Sequence, residues 1–73
     1  MPVKQPPNLD LQRERFKQQM TRSTLSRQTG VSRKTLLDIE QRRVRPRLET
    51  ASRIAKALDV EVVDLFGEAE VIG

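Results

Sequence analysis

Three cations stand where a helix ordinarily disfavours them. In Met20-Thr21-Arg22-Ser23-Thr24-Leu25, and again in Val31-Ser32-Arg33-Lys34-Thr35-Leu36, an apolar residue precedes a hydroxyl residue suited to cap a helix. A leucine then follows where it can fold back on the first apolar residue as a hydrophobic staple. Arg22, Arg33 and Lys34 thus fall in first turns, where the helix end is already positive and a cation costs roughly 0.3 to 1 kcal/mol. One such start would mean little, because solvated Arg and Lys are common on exposed helices. Two, with the short Gln28-Thr29-Gly30 segment between them, point to an anionic partner. Paired helix ends carrying cations and backbone N–H groups suit a surface that faces phosphates.

The elements that must position these residues can be read along the chain. Residues 1–7 hold three prolines and little apolar content, which predicts an extended arm. Asn8 is a good N-cap for a first helix running through Leu11 and Phe16 to about Gln19, although its apolar periodicity is weak. A second helix covers about Arg22 to Gln28 and ends before Gly30, which can turn at positive φ. A third runs from Ser32 to about Glu40 with Val31, Leu36 and Ile39 facing inward. Pro46 closes a basic loop, after which Leu48, Ala51, Ile54, Ala55 and Leu58 recur at helical spacing. A short fifth helix lies near Val62 to Phe66, overlapping a β-branched stretch from Val60 to Val63 that also suits a strand.

Composition limits the partners. The chain has 73 residues and no cysteine or histidine, so it is one small domain without disulfides or the usual zinc ligands. No apolar run approaches a membrane span, and the first residues lack the apolar centre of a signal peptide, so a cytoplasmic protein with no membrane partner is expected. The formal net charge of +4 is unevenly spread. Residues 21–53 hold nine Arg or Lys against three acids, whereas residues 54–73 hold one Lys against five acids. The basic middle is a face for a polyanion, and the acidic end, with residues 68–73 as a tail, turns away from it. Catalysis has no support, for want of an acid-base constellation or a glycine-rich phosphate cradle. Single-stranded nucleic acid is disfavoured because Phe16 and Phe66, both assigned to core faces, are the only aromatics.

The spacing of Leu25-Ser26, Gly30, Leu36 and Ile39 is that of a helix-turn-helix. Together with Gly30-Val31-Ser32-Arg33, Ile39-Glu40, Pro46, Leu48-Glu49-Thr50 and Ile54-Ala55-Lys56-Ala57-Leu58, it resembles the phage repressor and Cro family, also called the Xre family. The resemblance covers Leu11 to about Phe66. It implies an all-α fold, a compact five-helix lambda-repressor-like DNA-binding domain over residues 8–67, with the helix-turn-helix formed by helices two and three. It also implies that Arg15 of helix one pairs with Glu40 at the end of helix three, as a structural ion pair. Several positions depart from the family pattern. Arg22 replaces a glutamine that braces the recognition helix, and Arg42 and Asp59 replace glycines after helices three and four. Those two residues must either adopt left-handed conformations or end their helices differently.

By the same resemblance, helix three would enter the major groove of double-stranded DNA and place Arg33, Lys34 and Asp38 at base edges. Arg33 can meet guanine O6 and N7 with both arms, while Lys34 can reach a guanine edge or a phosphate. Asp38 could accept from cytosine N4, but pairing with Lys34 one turn earlier is favoured. Leu37 could meet a thymine methyl or pack inward. Contacts to the DNA backbone are expected from Thr21, Arg22, Ser32, Thr35, Gln41, Arg42, Arg43, Arg45 and Arg47, with Arg45 or Arg47 able to enter a narrow minor groove. No cofactor is implied. The expected function is transcriptional regulation, with repression by a homodimer on an inverted repeat. Val62, Val63, Leu65, Phe66, Val71 and Ile72 are available for pairing, or for simple core closure in the case of Leu65 and Phe66. The alternatives are an antitoxin that also binds a toxin through its C-terminal end, or a protein-binding adaptor on the same fold.

Overall fold

Asn8 opens the first helix and ties it to two others. A computed structural model of the chain describes residues 7–73, so the arm expected over residues 1–7 lies outside the described residues except for Pro7. The buried Asn8 side chain accepts from the Leu11 N–H at 3.0 Å and donates to the Leu65 carbonyl at 2.8 Å. Its own N–H donates to the Glu40 carbonyl at 2.7 Å. One residue therefore caps α1 (Leu9–Lys17) and joins it to the ends of α3 (Arg33–Glu40) and α5 (Val62–Leu65). Between them lie α2 (Arg22–Thr29) and α4 (Leu48–Ala57), and a 3-10 turn (Glu68–Glu70) follows α5. Among the described residues the structure is all-α, with one isolated parallel bridge between Arg47 and Ile72 and no helix long and apolar enough to cross a membrane.

The core takes one stripe from each helix: Leu11, Leu25, Leu36 with Ile39, Ile54 with Leu58, and Leu65 with Phe66. Phe16 is not among them. It is 72% exposed, because α1 turns Leu11 and Arg15, four residues apart, toward the core and leaves the next residue outside. The Arg15 guanidinium lies 5.7 Å from the centre of its ring. Leu48 also departs from the expected pattern and is 51% exposed, since α4 starts beyond the edge of the core. The β-branched stretch yields to a helix start, with Asp64 accepting from the Glu61 N–H at 2.9 Å.

Three of the helix ends follow one device. After α1, α3 and α4 the chain turns through a left-handed residue, Gln19 (φ 53°), Arg42 (φ 57°) and Asp59 (φ 56°), none of them glycine. In each case the next N–H reaches back five residues: Met20 to Arg15, Arg43 to Asp38 and Val60 to Ala55, at 2.8 to 3.0 Å. Each left-handed residue costs roughly 1 to 2 kcal/mol. The recovered carbonyl bonds and the packing of Met20 and Val60 against the core offset that cost. Only α2 ends on a glycine, Gly30 at φ 76°.

Candidate nucleic-acid interface

The two hydroxyl residues singled out above both cap their helices. Thr21 accepts from the Thr24 N–H and Ser32 from the Thr35 N–H, each at 3.1 Å. Met20 and Val31 pack against the core cluster that includes the buried Leu25 and Leu36. Because the left-handed Gly30 leaves only a short turn between α2 and α3, their N-termini open onto one groove, lined by Thr21, Arg22, Ser23, Ser32, Arg33, Lys34 and Leu37. Arg33 is exposed and leans across it toward the Ser23 hydroxyl, 3.4 Å away. The Ser32 hydroxyl bonds that of Thr35 at 2.8 Å, and both remain at the exposed edge.

Asp38 organises cations rather than standing alone. One carboxylate oxygen accepts from Lys34 at 3.0 Å and the other from Arg43 at 3.3 Å, and the side chain is only 17% exposed. The hydrogen bond from Lys34 is the main influence holding its carboxyl below the usual carboxylate range, with Arg43 adding to it against partial burial. Asp38 is therefore ionised at neutral pH, and both oxygens are engaged. Lys34, 83% exposed, keeps its ammonium at the mouth of the groove.

Arg15 and Glu40 are brought together, with Nε donating to Oε1 at 2.5 Å, and Glu40 is 1% exposed. A third member joins them. Arg22 Nε donates to the other oxygen, Oε2, at 2.8 Å. A buried carboxylate thus links α1, the start of α2 and the end of α3. Sequence reading assigned Arg22 to phosphate and missed this bond. The available signal was its first-turn position, where a cation needs a counter-charge and Glu40 closes the neighbouring helix.

The loop after α3 divides its arginines. Arg43 turns to Asp38, whereas Arg42 places Nε and Nη2 on Glu70 at 3.2 and 3.3 Å. Arg45, exposed, touches the Ala69 carbonyl at 3.4 Å, and Arg47 is an exposed residue at the start of α4. Gln41 closes α3 through its N–H on the Leu37 carbonyl. The acidic residues 68–73 are not held away from this loop but lie along it.

A helix-turn-helix family model matches residues 11–65, more than half of the chain. A curated protein named as an uncharacterised HTH-type transcriptional regulator, from Methanocaldococcus jannaschii, is 38% identical over 47 residues, which span 64% of this chain and 71% of the relative. No solved structure gives a significant match.

Proposed function

Because the chain belongs to the helix-turn-helix family of the Cro/C1 type, we propose that it is a sequence-specific, double-stranded-DNA-binding transcriptional regulator. The observation that carries this reading is the groove in which two capped helix N-termini meet, with exposed Arg33 and Lys34 at its mouth. In this reading α3 lies in the major groove. Arg33 reads a guanine, and Lys34, steadied by Asp38, meets a base edge or a neighbouring phosphate. Thr21 and Thr35 donate hydroxyl protons to phosphates on one side, with Ser32 donating its own to Thr35, and Gln41, Arg43, Arg45 and Arg47 follow the backbone on the other. Asp38 serves as the organiser of Lys34 and Arg43, and Arg22 serves first as a brace on Glu40.

Neutralising about five phosphates would make affinity for duplex DNA fall roughly 500-fold between 50 and 200 mM salt. Affinity that ignores salt, or no binding at low salt, would refute the reading. Selection of bound sites from random duplexes would then return the half-site, its symmetry and its spacing.

We assign repression to a homodimer that occupies an inverted repeat. An apolar groove beside α5, lined by Leu48, Val62, Val63, Phe66 and Val71, supports this, since Val63 is 76% exposed and Leu48 51%. Val63→Asp should leave the fold intact and abolish self-association, measured by sedimentation equilibrium, and should weaken binding to the inverted repeat more than to a half-site. A variant that still dimerises would move the pairing surface elsewhere. A wild-type chain that stays monomeric on its site would leave this groove to a different protein partner.

A further inference from the structure

Residues 67–72, which by charge alone would be a tail repelled by the site's ligand, instead make the loop between α3 and α4 a built structure. Arg47 is the N-cap of α4 but supplies no side-chain cap, so the first N–H groups of that helix need another acceptor. The Ile72 carbonyl accepts from the Leu48 N–H at 2.9 Å, and the Ile72 N–H donates to the Pro46 carbonyl at 2.9 Å. Those bonds grip the end of the loop on both sides of Arg47. At its beginning, the left-handed Arg42 is held by a two-armed bond to Glu70, with the two side chains 22% and 29% exposed. Glu70 is oriented in turn by the Gly67 N–H at 3.3 Å. A small cavity lined by Ile39, Val44, Pro46, Phe66 and Ala69 lies between loop and clamp.

We infer that residues 67–72 are a clamp that positions the arginine loop for DNA, and that Arg42 is a positioning residue held by Glu70 rather than a phosphate ligand. The loop's two attachment points fix where Arg43, Arg45 and Arg47 emerge. Binding then does not have to order that segment, and the clamp's acid neutralises Arg42, while Arg45 keeps only a long contact to the Ala69 carbonyl. The inference rests on the DNA-binding reading for its purpose, but the clamp itself can be measured without DNA.

The test is a charge swap. Arg42→Glu and Glu70→Arg alone should each lower the unfolding midpoint by about 4 °C or more and weaken duplex affinity by about tenfold or more. The double variant, with unchanged net charge and the pair reversed, should recover the midpoint and bind within about threefold of wild type at every salt concentration. Ile72→Pro, which removes the N–H given to Pro46 without altering charge, should weaken binding and leave the salt dependence unchanged. A double variant that folds like wild type but binds as weakly as Arg42→Glu would make Arg42 a phosphate ligand and overturn the inference. So would tighter binding by Ile72→Pro, which would make the segment a competitor of DNA. If wild type itself binds no duplex, the DNA reading fails separately. The unfolding midpoints still decide the clamp, which is wrong if neither single substitution lowers them.

Discussion

Glu40→Ala should cost about 3 to 5 kcal/mol of folding stability, the largest loss expected from any single substitution outside the apolar core. The reason is the charge it would leave behind. Glu40 is 1% exposed and holds the Nε atoms of Arg15 and Arg22 on separate oxygens. Arg22, whose side chain is 39% exposed, can swing to water when its partner is removed. Arg15, 7% exposed, cannot do so without disturbing α1, and its remaining bond, from Nη1 to the Met20 carbonyl at 3.1 Å, does not compensate a full charge. Small domains have roughly 5 to 15 kcal/mol in total, so the variant should lose much of its cooperative unfolding transition. Urea denaturation followed by circular dichroism would measure the loss. A change under about 1 kcal/mol would show that the three-way link is dispensable. Arg22→Ala should fall near that lower figure, because its pair is screened by solvent.

Arg33→Ala should leave stability almost unchanged and remove about 1 to 3 kcal/mol of discrimination at one base pair of the preferred site. Among the described residues its only polar side-chain contact is a long one to Ser23, at 3.4 Å, and its side chain is exposed at the opening of the groove. Affinity for the selected site should drop roughly 5- to 150-fold, while affinity for unrelated duplexes changes far less. Equal weakening on every sequence would make Arg33 a phosphate ligand and move base reading elsewhere on α3. Arg43→Ala is the counterpart. It should weaken all duplexes alike and reduce the salt slope by about one.

Much of the fold was legible in the sequence because its determinants are local. The caps at Asn8, Thr21 and Ser32 depend on a side chain and an N–H three residues away. The apolar spacing of Leu36 with Ile39, and of Ile54 with Leu58, needs only helical periodicity. Gly30 and the two departures at Arg42 and Asp59 marked helix ends, and all three adopt positive φ. Phe16 shows where this fails. In a helix with weak periodicity Phe16 is expected on the core face, yet Arg15 takes the inward position because Glu40, distant in sequence, is waiting there.

By itself, then, the sequence determined the five helices, their capped starts and the concentration of positive charge around two of them, since each follows from interactions within a turn or from simple counting. Only the tertiary structure decided how that charge is used. Arg22 meets Glu40 across 18 residues and Arg42 meets Glu70 across 28. Nothing local distinguishes these arginines from Arg33 or Arg47, because an arginine's partner is set by whichever carboxylate the packed helices bring within reach. The acidic end likewise looked like a group repelled from the site until the fold laid its backbone against Pro46 and Leu48. Charge along a chain states which ligand is attracted, whereas packing states which charges remain to meet it.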